Sequence, residues 1–240
     1  MRLAPTGPIP LRILRRLPRM PTPKTMKAAN RFSHERRLLD QGMGPLAGVD
    51  EAGRGPLAGP VTAAAVVFPC DWALTDDLPE SLLELNDSKQ LSERARERFF
   101  DLLHKMPEIT FAIAVVSHEL IDQLNILNAT HLAMAEALRT LKNPAAHALV
   151  DGVAVRGLPV PHTPIVKGDS QSYSIAAASV LAKVTRDRIM LQYDKQYPEY
   201  GFGEHKGYPT KAHLMALSRH GPCPIHRRSF APVRSQQLEF

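Results

Sequence analysis

The chain has 240 residues, 30 lysines and arginines against 24 carboxylates, and 44% hydrophobic residues, which is enough for one domain with a buried core. Its two cysteines, Cys70 and Cys223, form no CxxC pair, which excludes a disulfide-stapled scaffold and fits a reducing, cytoplasmic location. Charge or proline breaks every apolar run short of the roughly 18 residues that a membrane span needs, so a soluble protein without a membrane partner is expected.

The formal charge of +6 is polarised along the chain. Residues 1–34 carry eight basic side chains and no acid, residues 35–166 eleven basic and eighteen acidic, and residues 167–234 eleven basic and five acidic. Prolines at 5, 8, 10, 18, 21 and 23 remove backbone donors, so residues 1–34 are expected to form a disordered basic tail. Order is expected from about Arg36, with a domain over 35–220 and an extension over 221–240. Leu46–Asp50 and Val61–Phe68 read as two strands around a Gly-rich hairpin turn. In 92–106, Ser92 can cap a helix whose apolar residues recur at 95, 99, 102, 103 and 106. FAIAVVS (111–117) reads as a short buried strand, and 128–141 as a second amphipathic helix closed by Asn143-Pro144. Strands are expected at 147–152, ending in Asp151, and at 164–169, ending in Asp169. A long helix over 172–193 follows, small and apolar first and charged later, then a Gly/Pro-punctuated loop, a short helix near 210–219 and a basic end. Two adjacent strands, then strands alternating with helices, indicate a mixed α/β sheet covered by helices.

The informative chemistry is where acids end apolar runs. Asp50 and Glu51 follow LAGV, Asp151 follows ALV, and Asp169 follows IVKG. Carboxylates converging from strand ends repel one another and need a counter-charge. Such hard oxygen ligands suit Mg²⁺ or Mn²⁺, and a pair of these ions suits in-line phosphodiester cleavage. Neighbours on a regular strand face opposite sides, so Asp50 and Glu51 share one site only if the strand bends, bulges or ends there. Gly53-Arg54-Gly55 follows directly. Its amides can approach a phosphate or sugar and Arg54 adds a cation, although by itself the triplet fits a simple turn.

Six stretches in order, GVDEAGRGPLAGPVTAAAV, NDSKQLSERAR, VDG, VKGDSQSYSIAAASVLAKVTRDR, YGFGEHKGYPTKAHL and IHRRSFAPV, closely resemble ribonuclease HII, a type 2 ribonuclease H, over residues 36–234. The resemblance implies a ribonuclease H-like α/β fold: a central mixed β-sheet flanked by helices, with a small C-terminal helical segment. It implies Mg²⁺- or Mn²⁺-dependent hydrolysis of the RNA strand in RNA–DNA hybrids. Incision 5′ to single ribonucleotides in duplex DNA is also implied, leaving 3′-hydroxyl and 5′-phosphate ends, with removal of misincorporated ribonucleotides as the purpose. Position by position, the family's metal-binding carboxylates match Asp50, Glu51, Asp151 and Asp169, with Asp50 expected to bridge two ions. Its reader of the 2′-hydroxyl matches Gly53, Arg54 and Gly55, and the tyrosine that packs on the next, deoxy sugar matches Tyr208. Lys89, Ser172, Lys183 and Arg186 match positions near the nucleic-acid backbone. A monomer is expected.

Four other readings compete. His220-x2-Cys223-x2-His226, with His205 or His213 as a fourth ligand, tempts a zinc assignment, but Pro222, Pro224 and the HRRSF continuation speak against it. Asp187 could pass for a fifth acid ligand, but a salt bridge within the helix accounts for it better. Ribonuclease HIII is the enzyme alternative, and a non-catalytic nucleic-acid binder is the alternative from another class. The first lacks the Gly53-Arg54-Gly55 loop, and the second leaves four phosphate-repelling acids without a purpose.

Overall fold

The computed structural model describes residues 31–236, so the expected disordered tail lies almost entirely outside the described residues. The first helix, α1 (Ser33–Asp40), precedes β1 (Leu46–Ala52) and β2 (Val61–Val67), and α2 (Cys70–Thr75) and α3 (Glu93–Lys105) lead to β3 (Thr110–Val116). Next come α4 (His118–Leu124), α5 (Ile126–Arg139), β4 (His147–Asp151) and β5 (His162–Ile165), followed by the 24-residue α6 (Tyr173–Gln196). A small C-terminal helical segment comprises α7 (Phe202–His205), α8 (Lys211–His220) and α9 (Ala231–Gln236). No helix among the described residues is long and apolar enough to cross a membrane.

The sheet has the order β3-β2-β1-β4-β5. The β1–β2 and β2–β3 pairs are antiparallel, and the β1–β4 and β4–β5 pairs are parallel, so the sheet is mixed, as expected. Alternation along the strands sorts side chains onto two faces. Ala47 and Val49 of β1, with Val61, Ala63 and Ala65 of β2, pack against Ala133, Met134 and Ala137 of α5. Ala64 and Val66 face the other way, towards Val180 and Leu181 of α6 and Phe99 and Leu103 of α3. Burying a side chain of this size contributes about 1.5–3 kcal/mol.

Gly48 lies on the α6 face of β1. A Cβ there would sit 2.1 Å from the Ser174 carbonyl carbon, so α6 crosses β1 in direct backbone contact. The alanines at 176–178, all fully buried, continue this close approach. Ser172 caps the helix, its Oγ accepting the Ile175 N–H at 3.1 Å.

Several expectations are adjusted. The strand expected over 164–169 ends at Ile165; Lys167 then takes a left-handed conformation (φ 56°), and Asp169 sits on a short 3-10 turn, Gly168–Ser170. The helix expected over 128–141 begins at Ile126, capped by Asn125, whose Oδ1 accepts the Asn128 N–H. The β1–β2 connection spans residues 53–60, longer than a hairpin turn. At the N-terminal side, Phe32 is already buried and packs at a tilt of 51° against the ring of Tyr173, with centroids 5.0 Å apart.

Candidate active site

Strand alternation decides where the acids point. Gly48 and Asp50 share the α6 face of β1, while Val49 faces α5. The register with β2 runs unbroken from Ala47↔Val67 to Ala52↔Thr62, so no bulge turns Asp50 and Glu51 the same way. Asp50, Asp151 and Asp169 offer carboxylate oxygens that all lie within 4.8 Å of one another. Glu51 stands outside this cluster, in the cleft beside Arg54, with an Oε1 to Nη1 distance of 3.5 Å. The four acids are therefore neighbours in an arrangement of three plus one.

Two members of the cluster, Asp50 and Asp151, are held by backbone N–H groups. The Glu51 N–H donates to Asp50 Oδ1 at 2.7 Å, and the Gly168 N–H donates to Asp151 Oδ1 at 2.6 Å. Ser179 of α6 lies beside the Asp50 carboxyl, and its Oγ donates to Ser88 Oγ at 2.9 Å. Burial, then the charges of Glu51 and Asp151, push the Asp50 carboxyl well above the usual carboxylate range. Burial, Asp151 and the adjacent Asp87 carry Asp169 up to about 6, and burial raises Glu51 despite Arg54. Burial works against the Lys89 ammonium, but Asp50, Asp87 and Asp169 outweigh it and raise that group. Its single charge does not offset the acids around it. A hard oxygen donor set with uncompensated negative charge fits Mg²⁺ or Mn²⁺.

A cleft of about 500 Å³ opens beside the cluster, lined by Glu51, Gly53, Arg54, Gly55, Ser88, Lys89, Ser179, Lys183 and Tyr208. Tyr208 lies against the loop: a Cβ at Gly55 would meet its Cε1 at 3.5 Å. Gly53 has φ 102° and no room for a side chain, because a Cβ would lie 2.2 Å from Arg186 Nε. Lys183 reaches the cleft while its Nζ donates to Asp187 Oδ1 at 2.7 Å. That i,i+4 pair is the salt bridge expected for Asp187, which stays outside the acid cluster.

Two of the residues expected near the nucleic-acid backbone are not at the cleft surface. Ser172 is fully buried, its Oγ donating to Glu35 Oε1 at 2.5 Å beneath α1. Arg186 is 1% exposed and its guanidinium is consumed by the carbonyls of Pro60, Lys206 and Ala58 at 2.9, 3.0 and 3.1 Å. The sequence reading also gave no role to Asp87, Ser88, Ser179 or Arg227. Asp87 and Ser88 lie inside the NDSKQL stretch, which was the available signal. Burial of Arg227 had no local signal, because an Arg-Arg pair normally reads as solvated surface.

Of the cysteine and histidines considered for zinc, His220 is exposed, whereas Cys223, His205, His213 and His226 are buried together and the three buried imidazoles spend their nitrogens on hydrogen bonds. His213 Nε2 meets His226 Nε2 at 3.0 Å, while His226 Nδ1 takes the Cys223 N–H at 3.0 Å. The Cys223 thiol is pushed up to about 11 by burial and stays protonated at neutral pH. Among the described residues the group suited to a metal is the aspartate cluster.

The family model for ribonuclease HII matches residues 47–233, which contain all four acids, the loop and Tyr208. A ribonuclease HII from Endomicrobium trichonymphae is 51% identical over 206 residues, covering 85% of this chain and 94% of that protein. One from Syntrophotalea carbinolica is 52% identical over 200 residues, covering 83% and 91%. Among solved structures, ribonuclease H2 from Pyrococcus horikoshii OT3 superposes with a TM-score of 0.66 at 26% identity, covering 81% of this chain and 97% of its own. The match is to ribonuclease HII, which decides against the HIII and non-catalytic alternatives: the chain belongs to the ribonuclease HII family and is a metal-dependent endoribonuclease.

Proposed function

We propose that the protein hydrolyses the RNA strand of RNA–DNA hybrids and nicks duplex DNA 5′ to a single embedded ribonucleotide. The products would carry 3′-hydroxyl and 5′-phosphate ends, and the nick would begin removal of misincorporated ribonucleotides. The supporting observation is the convergence of Asp50, Asp151 and Asp169 within 4.8 Å beside a cleft lined by Glu51, Gly53, Arg54, Gly55 and Tyr208.

Asp50, Glu51, Asp151 and Asp169 are the residues that would hold two Mg²⁺ or Mn²⁺ ions. When bound, such ions supply water activation and stabilise charge on the departing 3′-oxygen. The chain supplies placement. The Glu51 N–H fixes the rotamer of Asp50, and the Gly168 N–H fixes Asp151. Gly53-Arg54-Gly55 presents backbone groups to the 2′-hydroxyl, the one local feature that separates RNA from DNA. Tyr208 stacks on the following sugar when that sugar lacks the hydroxyl. Lys89 and Lys183 meet the phosphate backbone, whereas Ser172 and Arg186 act from within the scaffold.

Asp50→Asn tests the assignment. Cleavage is expected to fall by about three orders of magnitude or more, with hybrid affinity in Ca²⁺ retained. Turnover equal to that of the unmodified protein would remove Asp50 from the centre.

A further inference from the structure

The two elements proposed to read the sugar, the loop at 53–55 and Tyr208, lie about 150 positions apart in the chain and outside regular strands. Backbone pairing joins them only partly: the Leu57 N–H donates to the Gly207 carbonyl at 2.8 Å, and the Arg227 N–H to the Leu57 carbonyl at 2.8 Å. The rest is done by buried side chains. Arg227, fully buried, donates Nη2 to the Gly53 carbonyl at 2.6 Å, Nη1 to that of Arg54 at 3.0 Å, and Nε to that of Gly59 at 2.9 Å. Arg186 joins the same loop to Lys206, two residues before Tyr208. Five loop carbonyls, those of Gly53, Arg54, Ala58, Gly59 and Pro60, and the Lys206 carbonyl thus converge on two guanidinium groups.

Tyr208 itself is held by a chain of imidazoles. Its carbonyl accepts from His213 Nδ1 at 2.9 Å, His213 Nε2 meets His226 Nε2 at 3.0 Å, and His226 Nδ1 accepts the Cys223 N–H at 3.0 Å. The two ends settle every proton. A carbonyl only accepts, so His213 carries its proton on Nδ1; a backbone N–H only donates, so His226 Nδ1 is bare and its proton lies on Nε2. The two Nε2 atoms then face each other as donor and acceptor, the one combination that makes the 3.0 Å contact favourable. Burial pushes both imidazoles down to about 4, so both are neutral at neutral pH.

We propose that His213, His226 and Arg227 are positioning residues that set the enzyme's discrimination at the RNA-to-DNA junction by fixing Tyr208 against the Gly53-Arg54-Gly55 loop. None of the three is exposed beyond 1%, so they act through Tyr208 and the loop and not by touching the substrate. The proposal rests on the junction reading given above.

A pair of substitutions separates this role from packing alone. The amide nitrogen of His213→Asn falls where Nδ1 was and can still donate to the Tyr208 carbonyl, whereas that of His213→Gln falls where Nε2 was and cannot. The readout is the ratio of kcat/KM on duplex DNA with one ribonucleotide to kcat/KM on a uniform RNA–DNA hybrid, with Mn²⁺ binding and Tm measured alongside. His213→Gln is expected to lower the ratio about tenfold, the effect of one lost hydrogen bond. His213→Asn is expected to restore most of it, and both variants are expected to bind Mn²⁺ as the parent does. An unchanged ratio in His213→Gln, or equal losses in the two variants, would overturn the proposal. Should either variant not fold, ¹⁵N–¹H correlations of the unmodified protein decide: Nδ1–H on His213 with Nε2–H on His226 supports the relay, and any other tautomer pair contradicts it. A parent that cuts the hybrid but not the single ribonucleotide would instead refute the junction reading.

Discussion

At the scale of residues, burial and mutual repulsion make the protons of Asp50, Glu51 and Asp169 hard to remove while no ion is bound. Asp169 is the clearest case, carried from 3.8 to about 6 by burial and by its acidic neighbours. Between these values the folded, metal-free protein keeps a proton that the unfolded chain has lost, so Asp169 costs the fold stability as pH rises through that window. His213 and His226, both lowered to about 4, titrate in the opposite sense, so the contribution of Asp169 is isolated by comparison with Asp169→Asn. In chelator, the Tm of Asp169→Asn is expected to gain on that of the parent as pH rises from 4 to 7, and Mn²⁺ is expected to stabilise the parent alone. A gap independent of pH would contradict the account. The acids themselves were legible, because a carboxylate beside glycine at the end of an apolar run has no local partner. The contacts around them were not legible: Ser179 and Ser88 meet across 91 positions of sequence.

At the scale of elements, the site depends on α6 lying directly on β1. Asp50 is two residues beyond Gly48 on the same face, and Ser179 is five residues beyond Ser174 on α6, so one contact sets both partners. Gly48→Ala forces a Cβ to within 2.1 Å of the Ser174 backbone unless the helix moves. It is expected to cost about 3 kcal/mol or more of stability, read from urea denaturation, and to impair cleavage beyond the loss of folded protein. A neutral effect would show that the helix is free to slide. Periodicity found α3, α5 and α6, because each has a face or a run that the sheet buries. It missed the end of β5, since the left-handed Lys167 carries no glycine to announce it. The loop over 53–60 looked like a turn because its anchors, Arg186 and Arg227, lie more than 120 positions away.

At the scale of the whole molecule, charge is informative only when divided. The overall +6 is set by residues 1–34; the remainder holds 22 basic and 24 acidic side chains and is close to neutral. Within it, the acidic region contributes Asp50, Glu51 and Asp151, while Lys183 and Tyr208 come from the basic C-terminal third. The sheet and α6 bring the two regions together at one cleft. Divalent ions would complete the charge match with a polyanionic substrate. The most direct test is to incubate duplex DNA bearing one ribonucleotide with the protein and Mg²⁺ or Mn²⁺ and map the ends. One nick 5′ to the ribonucleotide, with a 3′-hydroxyl and a 5′-phosphate and no cleavage in chelator, is the expected result. Cleavage that needs no divalent ion, or that ignores the ribonucleotide, would contradict the account.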